Sequence, residues 1–423
     1  MMMQLKRMLD VLVCGLLLFS LVSAQESTQK TEPEQAAAKR KAAAKRRDDS
    51  QQRVASLHEL ADRLEIRPGA TIADIGAGKG NDSWVFADIV GTQGGVLSVE
   101  ITEDSVKKLK QEAASRDLTQ VHPVLGQSDT PNLPEDSVDM AFMHYVYHHL
   151  AKPREMLRNI WHALKPGGYY VVVDRHKGTL VDWVPRADRE KKHYWLAETT
   201  FVREAREVGF EFVGFGEQEW YAKDDTFVII MQRPNDVDFR GGDPDPMPPI
   251  DGTILNDLLS TSERSQSRIA FVALGEGRRL IKPLMQKCQG EAVDIVLEEW
   301  ATQKDERPEV PPGLELLSVL TEKGDPKLSS DPLDAVYFLD TYHLLFHGDV
   351  LLPSLRQHLT DEGRIYVLDR KADEELSHRE ASHRRSIAPE TVVREMTEYG
   401  FELESSTAPS SASRFLQVFR NRP

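Results

Sequence analysis

Asp74 and Glu100 are carboxylates whose spacing can do chemistry, because a glycine-spaced turn lies between them. Thr71-Ile72-Ala73-Asp74-Ile75-Gly76-Ala77-Gly78-Lys79-Gly80 reads as an apolar strand that ends on an acid and breaks into glycines at alternate positions. Side chains at those positions would block positive φ or the close approach of a ligand to the backbone. Glu100 closes a second apolar strand, Gly95 to Glu100, about 20 residues after the turn, where an acid that takes ribose hydroxyls is expected. An acid just ahead of the turn would repel a pyrophosphate and suits a cofactor with a cationic amine. His144, at the carboxyl end of an apolar strand from Val138, and His149 shortly after it are the candidates for contact with a substrate or for a general base, since imidazole titrates near neutrality. His144, His148 and His149 do not suggest a metal centre, because adjacent helical positions point in different directions.

These groups need a scaffold that brings strand ends to one edge. Asn81 to Val90 carries Trp84, Val85 and Ile89 at helical spacing, Val106 to Ala114 forms a second helical run, and Val121–Leu125, Val138–Met143 and Tyr169–Val173 read as strands. Such alternation predicts an α/β fold with a mostly parallel sheet and helices on both faces. Val54, Leu57, Leu60, Ala61 and Leu64 predict an amphipathic helix ending before Pro68-Gly69, placed over the cofactor end of the sheet. Thr199–Val208 predicts a helix, and Phe210–Gly214 with Thr226–Gln232 a closing antiparallel pair. Residues Thr179 to Trp195 are expected to form a lid or substrate wall, with Trp183 and Trp195 lining an apolar pocket or simply packing.

Gly126-Gln127-Ser128-Asp129, Tyr147-His148-His149-Leu150 and Leu164-Lys165-Pro166-Gly167-Gly168 complete the pattern. From about Leu57 to Arg233 the chain resembles the class I S-adenosylmethionine-dependent methyltransferases, in the branch acting on small molecules and quinones. The resemblance implies a Rossmann-like fold with S-adenosylmethionine as cofactor. It implies that Gly76 and Gly78 pass under the amino-acid part of the cofactor, that Asp74 orients its amine, that Glu100 takes the ribose hydroxyls and that Asp129 meets the adenine amine. It also implies a hairpin at Lys165–Gly168. A sulfonium donor is already activated, so catalysis asks for an in-line approach and, for a protic acceptor, a base.

The second half repeats the first. Asp139 to Leu150 is echoed by Asp334 to Leu345, Val172-Val173-Asp174-Arg175 by Val367-Leu368-Asp369-Arg370, and Phe201-Val202-Arg203-Glu204 by Val392-Val393-Arg394-Glu395. Equal spacing within these blocks predicts a second, degenerate copy of the fold, packed against the first within the chain. Its turn, Gly275-Glu276-Gly277-Arg278-Arg279, has no carboxylate at the preceding strand end, so this copy is expected to have lost the cofactor and to serve as scaffold. Tyr147, His148, Asp174 and Arg175 have counterparts in Tyr342, His343, Asp369 and Arg370, which favours a structural role, the alternative being a substrate pocket kept in both copies. Asp74, Gly76, Asp129, His144 and His149 do not, which marks them as site candidates.

With 423 residues the chain is too long for one ordinary core. The expected divisions are a signal peptide over 1–24, a charged helical spacer over 25–53, a methyltransferase domain over 54–233, a linker over 234–252 and the degenerate copy over 253–423. Lys6 and Arg7 before an apolar run that closes on Val22-Ser23-Ala24 predict export to the periplasm or medium, with no membrane span left in the mature chain. A retained anchor stays an alternative, since the donor is made in the cytoplasm. Cleavage would leave Cys288 as the only cysteine and exclude an internal disulfide. A net charge of −15 gives no nucleic-acid-binding surface. The proline- and glycine-rich linker is expected to be extended and solvated, its aspartates lacking the loop pattern of a calcium site. Three functions stay open: a methyltransferase for a small or lipid-like acceptor, a ligand-binding protein without turnover, and a nicotinamide enzyme, the last opposed by Asp74.

Overall fold

The structure, a computed structural model, describes residues 49–175, 198–216, 226–262, 268–272, 276–288, 292–296, 332–345, 348–410 and 412–423. The expected signal peptide, most of the spacer and the wall at 179–195 with Trp183 and Trp195 lie outside them. The chain divides into two compact units, Met1–Ala55 and Ser56–Pro423. Of the first, residues 49–55 are described and are helical. No helix of the described residues is long and apolar enough to cross a membrane.

The second unit opens with helix α1 (56–63). There follow β1 (Thr71–Ile75), α2 (Asn81–Val90), β2 (Gly95–Glu100), α3 (Glu103–Ser115), β3 (Val121–Leu125), β4 (Val138–His144), α4 (Pro153–Ala163), β5 (Leu164–Arg175), α5 (Glu198–Val208), β6 (Glu211–Phe215) and β7 (Thr226–Gln232). Among the described residues these strands form one sheet in the order β3-β2-β1-β4-β5-β7-β6. The first five are parallel, and β7 runs antiparallel to both β5 and β6. The strand order reverses between β1 and β4, which opens a crevice at their carboxyl ends. Alternation along the strands feeds two cores. Ala73, Ile75, Ala141 and Met143 pack with Leu157 and Ile160 of α4 and Phe201 and Ala205 of α5. On the other face Ile72, Met140 and Phe142 pack with Leu57, Leu60 and Leu64 near α1 and Phe86 and Val90 of α2.

The local chemistry explains the element ends. Thr102 caps α3 by accepting the Ser105 N–H, with Glu103 and Asp104 in the first turn, where acids favour the helix dipole. Pro153 starts α4, a position where its missing N–H costs nothing. The expected hairpin at Lys165–Gly168 is not formed. Those residues are the bulged start of β5, whose register against β4 shifts between Val138 and Met140. Gly167, at φ 77°, donates its N–H to Arg233 O, and Lys165 Nζ reaches both Asp139 oxygens at 2.8 and 2.9 Å. The turn that the glycines allow is spent on bringing β5 beside the exit of β7.

The linker is not simply solvated. Asp245 takes a bidentate ion pair from Arg370 at 2.8 and 2.9 Å, Asp243 accepts from Arg385 at 2.7 Å, and Pro248 O accepts from Arg414 at 2.7 Å. Beyond it lie α6 (Gly252–Thr261), β8 (Arg268–Val272), α7 (Ile281–Cys288), β9 (Ala292–Val296), β10 (Leu333–Leu339), α8 (Gly348–His358), β11 (Leu359–Arg370), α9 (His378–Arg384), α10 (Pro389–Glu398), β12 (Phe401–Thr407) and β13 (Arg414–Asn421). Their sheet runs β12-β13-β11-β10-β8-β9 among the described residues. Read from β9, this is the order and direction of β2-β1-β4-β5-β7-β6. Helix α9 meets α5 and β6: Arg379 makes two hydrogen bonds of 2.7 Å to Glu198, and Phe212 and Phe215 lie against the His383 ring.

Candidate functional site

The turn between β1 and α2 is left-handed at Gly76, Gly78 and Gly80, with φ of 76°, 58° and 79°. Space distinguishes the three. A Cβ on Gly76 would stand 2.5 Å from Val146 Cγ2, and one on Gly80 would enter the Trp84 ring. A Cβ on Gly78 would meet nothing within 4 Å. Gly76 and Gly80 thus answer to the protein's own packing, while Gly78 is the point where the backbone is bare toward open space. The Gly78 N–H donates to Glu100 Oε1 at 2.7 Å, so the structure brings these two candidates together at the ends of β1 and β2. Each carboxylate oxygen has more than one acceptor direction, and Glu100 keeps capacity for a hydroxyl.

Asp129 follows β3. Its carboxylate binds Lys152 Nζ at 3.0 Å, with the aspartate side chain 28% exposed, and its carbonyl accepts from Asn159 Nδ2. The hydrogen bond to Asp129, followed by that to Glu155, holds the Lys152 ammonium above its ordinary pKa.

Asp74 lies beneath the turn instead of on its surface. It is 2% exposed, and Oδ2 accepts the Ser83 hydroxyl at 2.5 Å, while Ser83 Oγ accepts Ser98 Oγ at 2.8 Å. Both serines are fully buried. Ser83 is in the first turn of α2, a helix whose N-cap, Gly80, provides no side-chain cap. A carboxylate at that end meets the positive end of the helix dipole.

His144 Nδ1 stands 3.0 Å from Oδ2 of Asp82, a second buried acid in the first turn of α2; their side chains are 7% and 6% exposed. The next residue, Tyr145, turns the chain out of β4 with φ 57°. Its ring lies 4.3 Å from that of His144 and carries the Arg175 guanidinium at 4.5 Å. His149 is exposed and its ring lies tilted against that of His148, 3.9 Å between ring centres, so the two histidine candidates have different surroundings. His148 is held by Asp174, and Tyr147 donates to Glu204 at 2.7 Å. His343 with Asp369 and Tyr342 with Glu395 repeat both contacts. Among the described residues no group of three or more His, Cys, Asp and Glu is arranged to hold a metal.

Ser83, Ser98 and Asp82 were not singled out in the sequence. A serine three residues past the last glycine and another on the next strand resemble ordinary polar positions. Only the pairing of Asp74 with Ser98 in the β1–β2 register marks them as a group.

Residues 66–221 match the family model of a methyltransferase domain. The chain is 29% identical over 199 residues to a sterol methyltransferase-like protein of Botryococcus braunii, covering 41% of this chain and 48% of that one. It is 27% identical over 107 residues to an arsenite methyltransferase of Halobacterium salinarum, covering 25% and 27%. It therefore spans less than half the length of these two relatives. A solved S-adenosylmethionine-dependent methyltransferase from Aquifex aeolicus is similar at 19% identity and a TM-score of 0.36, over 44% of this chain and 95% of that one. Residues 66–221 are thus similar to a methyltransferase domain, for which the cofactor expected from the sequence is S-adenosylmethionine. The residues present fit that group: open backbone at Gly78, an acid beside it at Glu100, and two buried acids, Asp74 and Asp82, at the turn-facing end of α2.

Proposed function

We propose that the chain is an exported S-adenosylmethionine-dependent methyltransferase acting on a small or lipid-like acceptor, with the second half a degenerate copy that supports the first. The observation that carries this reading is the bare Gly78 backbone held against Glu100 at the carboxyl edge of β1 and β2. Gly78 and Glu100 would hold the cofactor, with Asp129 at the neighbouring strand end. When bound, S-adenosylmethionine supplies an electrophilic methyl carbon. The chain's own task is then to place an acceptor in line and, for a protic acceptor, to take up its proton. With Nδ1–H given to Asp82, His144 presents Nε2 as the basic nitrogen, and the Asp82 carboxylate stabilises the imidazolium that follows.

A second reading, binding without turnover, is favoured by the burial of the His144 ring, 7% exposed. Turnover separates the two. Calorimetry with S-adenosylmethionine and S-adenosylhomocysteine tests the cofactor site. Transfer of a labelled methyl group into a lipid or small-molecule extract tests the enzyme, and a bound donor with no labelled product favours the second reading. Export rests on the basic and apolar N-terminus and is tested by fractionating cells that make a tagged chain. Tag found with the cytoplasmic fraction alone would refute it.

A further inference from the structure

Asp74, Ser83 and Ser98 form a buried relay in which each hydroxyl donates toward the carboxylate. Ser98 Oγ gives to Ser83 Oγ at 2.8 Å, and Ser83 Oγ gives to Asp74 Oδ2 at 2.5 Å. Burying a carboxylate is unfavourable unless hydrogen bonds repay the lost hydration, so an acid 2% exposed in a strand calls for a reason. The second sheet shows that the strand arrangement does not require it. Asp74 pairs with Ser98 in the β1–β2 register, and Phe271 pairs with Ile295 in the β8–β9 register, each at the fourth position of its strand. Ser83 lies three residues past Gly80, and Leu280 three past Gly277. Phe271 and Leu280 are buried hydrophobic residues. The same strand position thus holds a hydrogen-bonded acid, Asp74, in one sheet and a buried aromatic ring, Phe271, in the other. Asp82, two residues past Gly80, is matched by Arg279, so the acid at this turn is also exchanged for a base.

We infer that the Asp74–Ser83–Ser98 relay is a charge-selecting element, which raises the site's affinity for the positively charged sulfonium donor relative to the neutral thioether left after transfer. This rests on the proposed methyltransferase reading and extends it to two positioning residues. The Ser83 hydroxyl donates to the carboxylate over a short distance, as charge-assisted bonds do, and it fixes that group at the uncapped end of α2. Ser98 commits the Ser83 proton to that direction. A ligand seated over Gly78 feels a fixed negative charge from below, in a setting drier than water where such a field is stronger. The product loses the charge that this field favours and so is released more readily.

The test is calorimetry on the full chain with S-adenosylmethionine and S-adenosylhomocysteine as probes, for the wild type, Ser83→Ala, Ser98→Ala and Ser83→Thr. The expected result is that Ser83→Ala weakens the donor on the order of tenfold more than the thioether, as loss of a charge-assisted bond implies. Ser98→Ala should do the same to a smaller extent, while Ser83→Thr, which keeps the hydroxyl, should preserve the wild-type ratio. Equal weakening of both nucleosides, or no change in either, would show a purely structural relay and overturn the inference. If Ser83→Ala does not fold, the Ser98→Ala ratio decides by itself. Failure of the wild type to bind either nucleoside overturns the methyltransferase reading itself, and this inference with it.

Discussion

Nδ1 of His148 lies 2.8 Å from Oδ1 of Asp174, and the His148 backbone N–H reaches the other carboxylate oxygen at 3.1 Å. The Arg175 N–H also donates to that carboxylate at 2.8 Å. His343, Asp369 and Arg370 reproduce the arrangement at 2.8, 3.0 and 2.7 Å. Both aspartates are fully buried, and each ties the turn after one strand to the end of the next.

Removing that tie should destabilise the half that contains it. Asp174→Ala leaves a ring nitrogen and two amides without their acceptor, and the expected loss is about 3 kcal/mol. Asp369→Ala should cost a similar amount in its own half. Urea unfolding followed by tryptophan fluorescence and circular dichroism measures both. A loss below about 1 kcal/mol for either would mean that water or a neighbour takes over the acceptor's role.

Gly76 and Gly78 should respond to the same substitution in different ways. Gly76→Ala drives a methyl group into Val146, and overpacking of this kind costs about 1–3 kcal/mol; adding Val146→Ala should recover part of it. Gly78→Ala meets no neighbour and should cost only about 1 kcal/mol from its left-handed φ, yet weaken S-adenosylmethionine binding by more than tenfold by filling the bare backbone. Thermal unfolding and calorimetry together read the contrast, and intact binding in Gly78→Ala would place the cofactor elsewhere.

Acid should loosen the contact between α5 and α9. Burial disfavours the Glu198 charge most strongly of the single influences, but the hydrogen bonds and charges of His383 and Arg379 outweigh it and lower its pKa from 4.5 to about 2. Because the folded value is the lower one, the stabilisation is fully present above pH 4.5 and is lost as pH falls toward 2. The shift corresponds to about 3 kcal/mol. The melting temperature of the wild type should therefore fall more steeply between pH 4.5 and 2 than that of Glu198→Gln, which has no such group to protonate. Parallel curves would remove Glu198 from the acid response.

Arg414 should be indispensable to the second half. Its guanidinium is 1% exposed, binds both oxygens of Asp340 at 2.8 and 3.0 Å and donates to Pro248 O. Arg414→Ala leaves a buried carboxylate uncompensated and should cost about 3–5 kcal/mol. Asp340→Asn with Arg414→Gln, which removes both charges, should cost less than the single change. Equal costs for the single and double variants in denaturant unfolding would contradict a coupled pair.

Much of the scaffold was legible in the sequence because its signals are local. The alternation in β1, β2 and β4 and the helical spacing in α2 and α5 fix element types without tertiary information. Asp174 and Asp369 stood out in the sequence because the stretches Val172–Arg175 and Val367–Arg370 are alike. What was not legible depends on approach in space. Asp82 meets His144 across 62 positions, and Ser83 meets Ser98 only once α2 lies over β2. The Lys165–Gly168 segment misled because proline and glycines signal a turn, whereas the Lys165–Asp139 pair and the Gly167–Arg233 hydrogen bond hold it as a bulged strand. The linker misled for a related reason: its prolines do forbid regular structure, but its aspartates find arginines more than 120 residues away.

The hold of α9 on Glu198 and on the Phe212 and Phe215 rings also bears on how the chain can be shortened. A polypeptide stopped ahead of the linker would leave a buried acid facing solvent without Arg379 and His383, beside two bared aromatic rings, and should self-associate or precipitate.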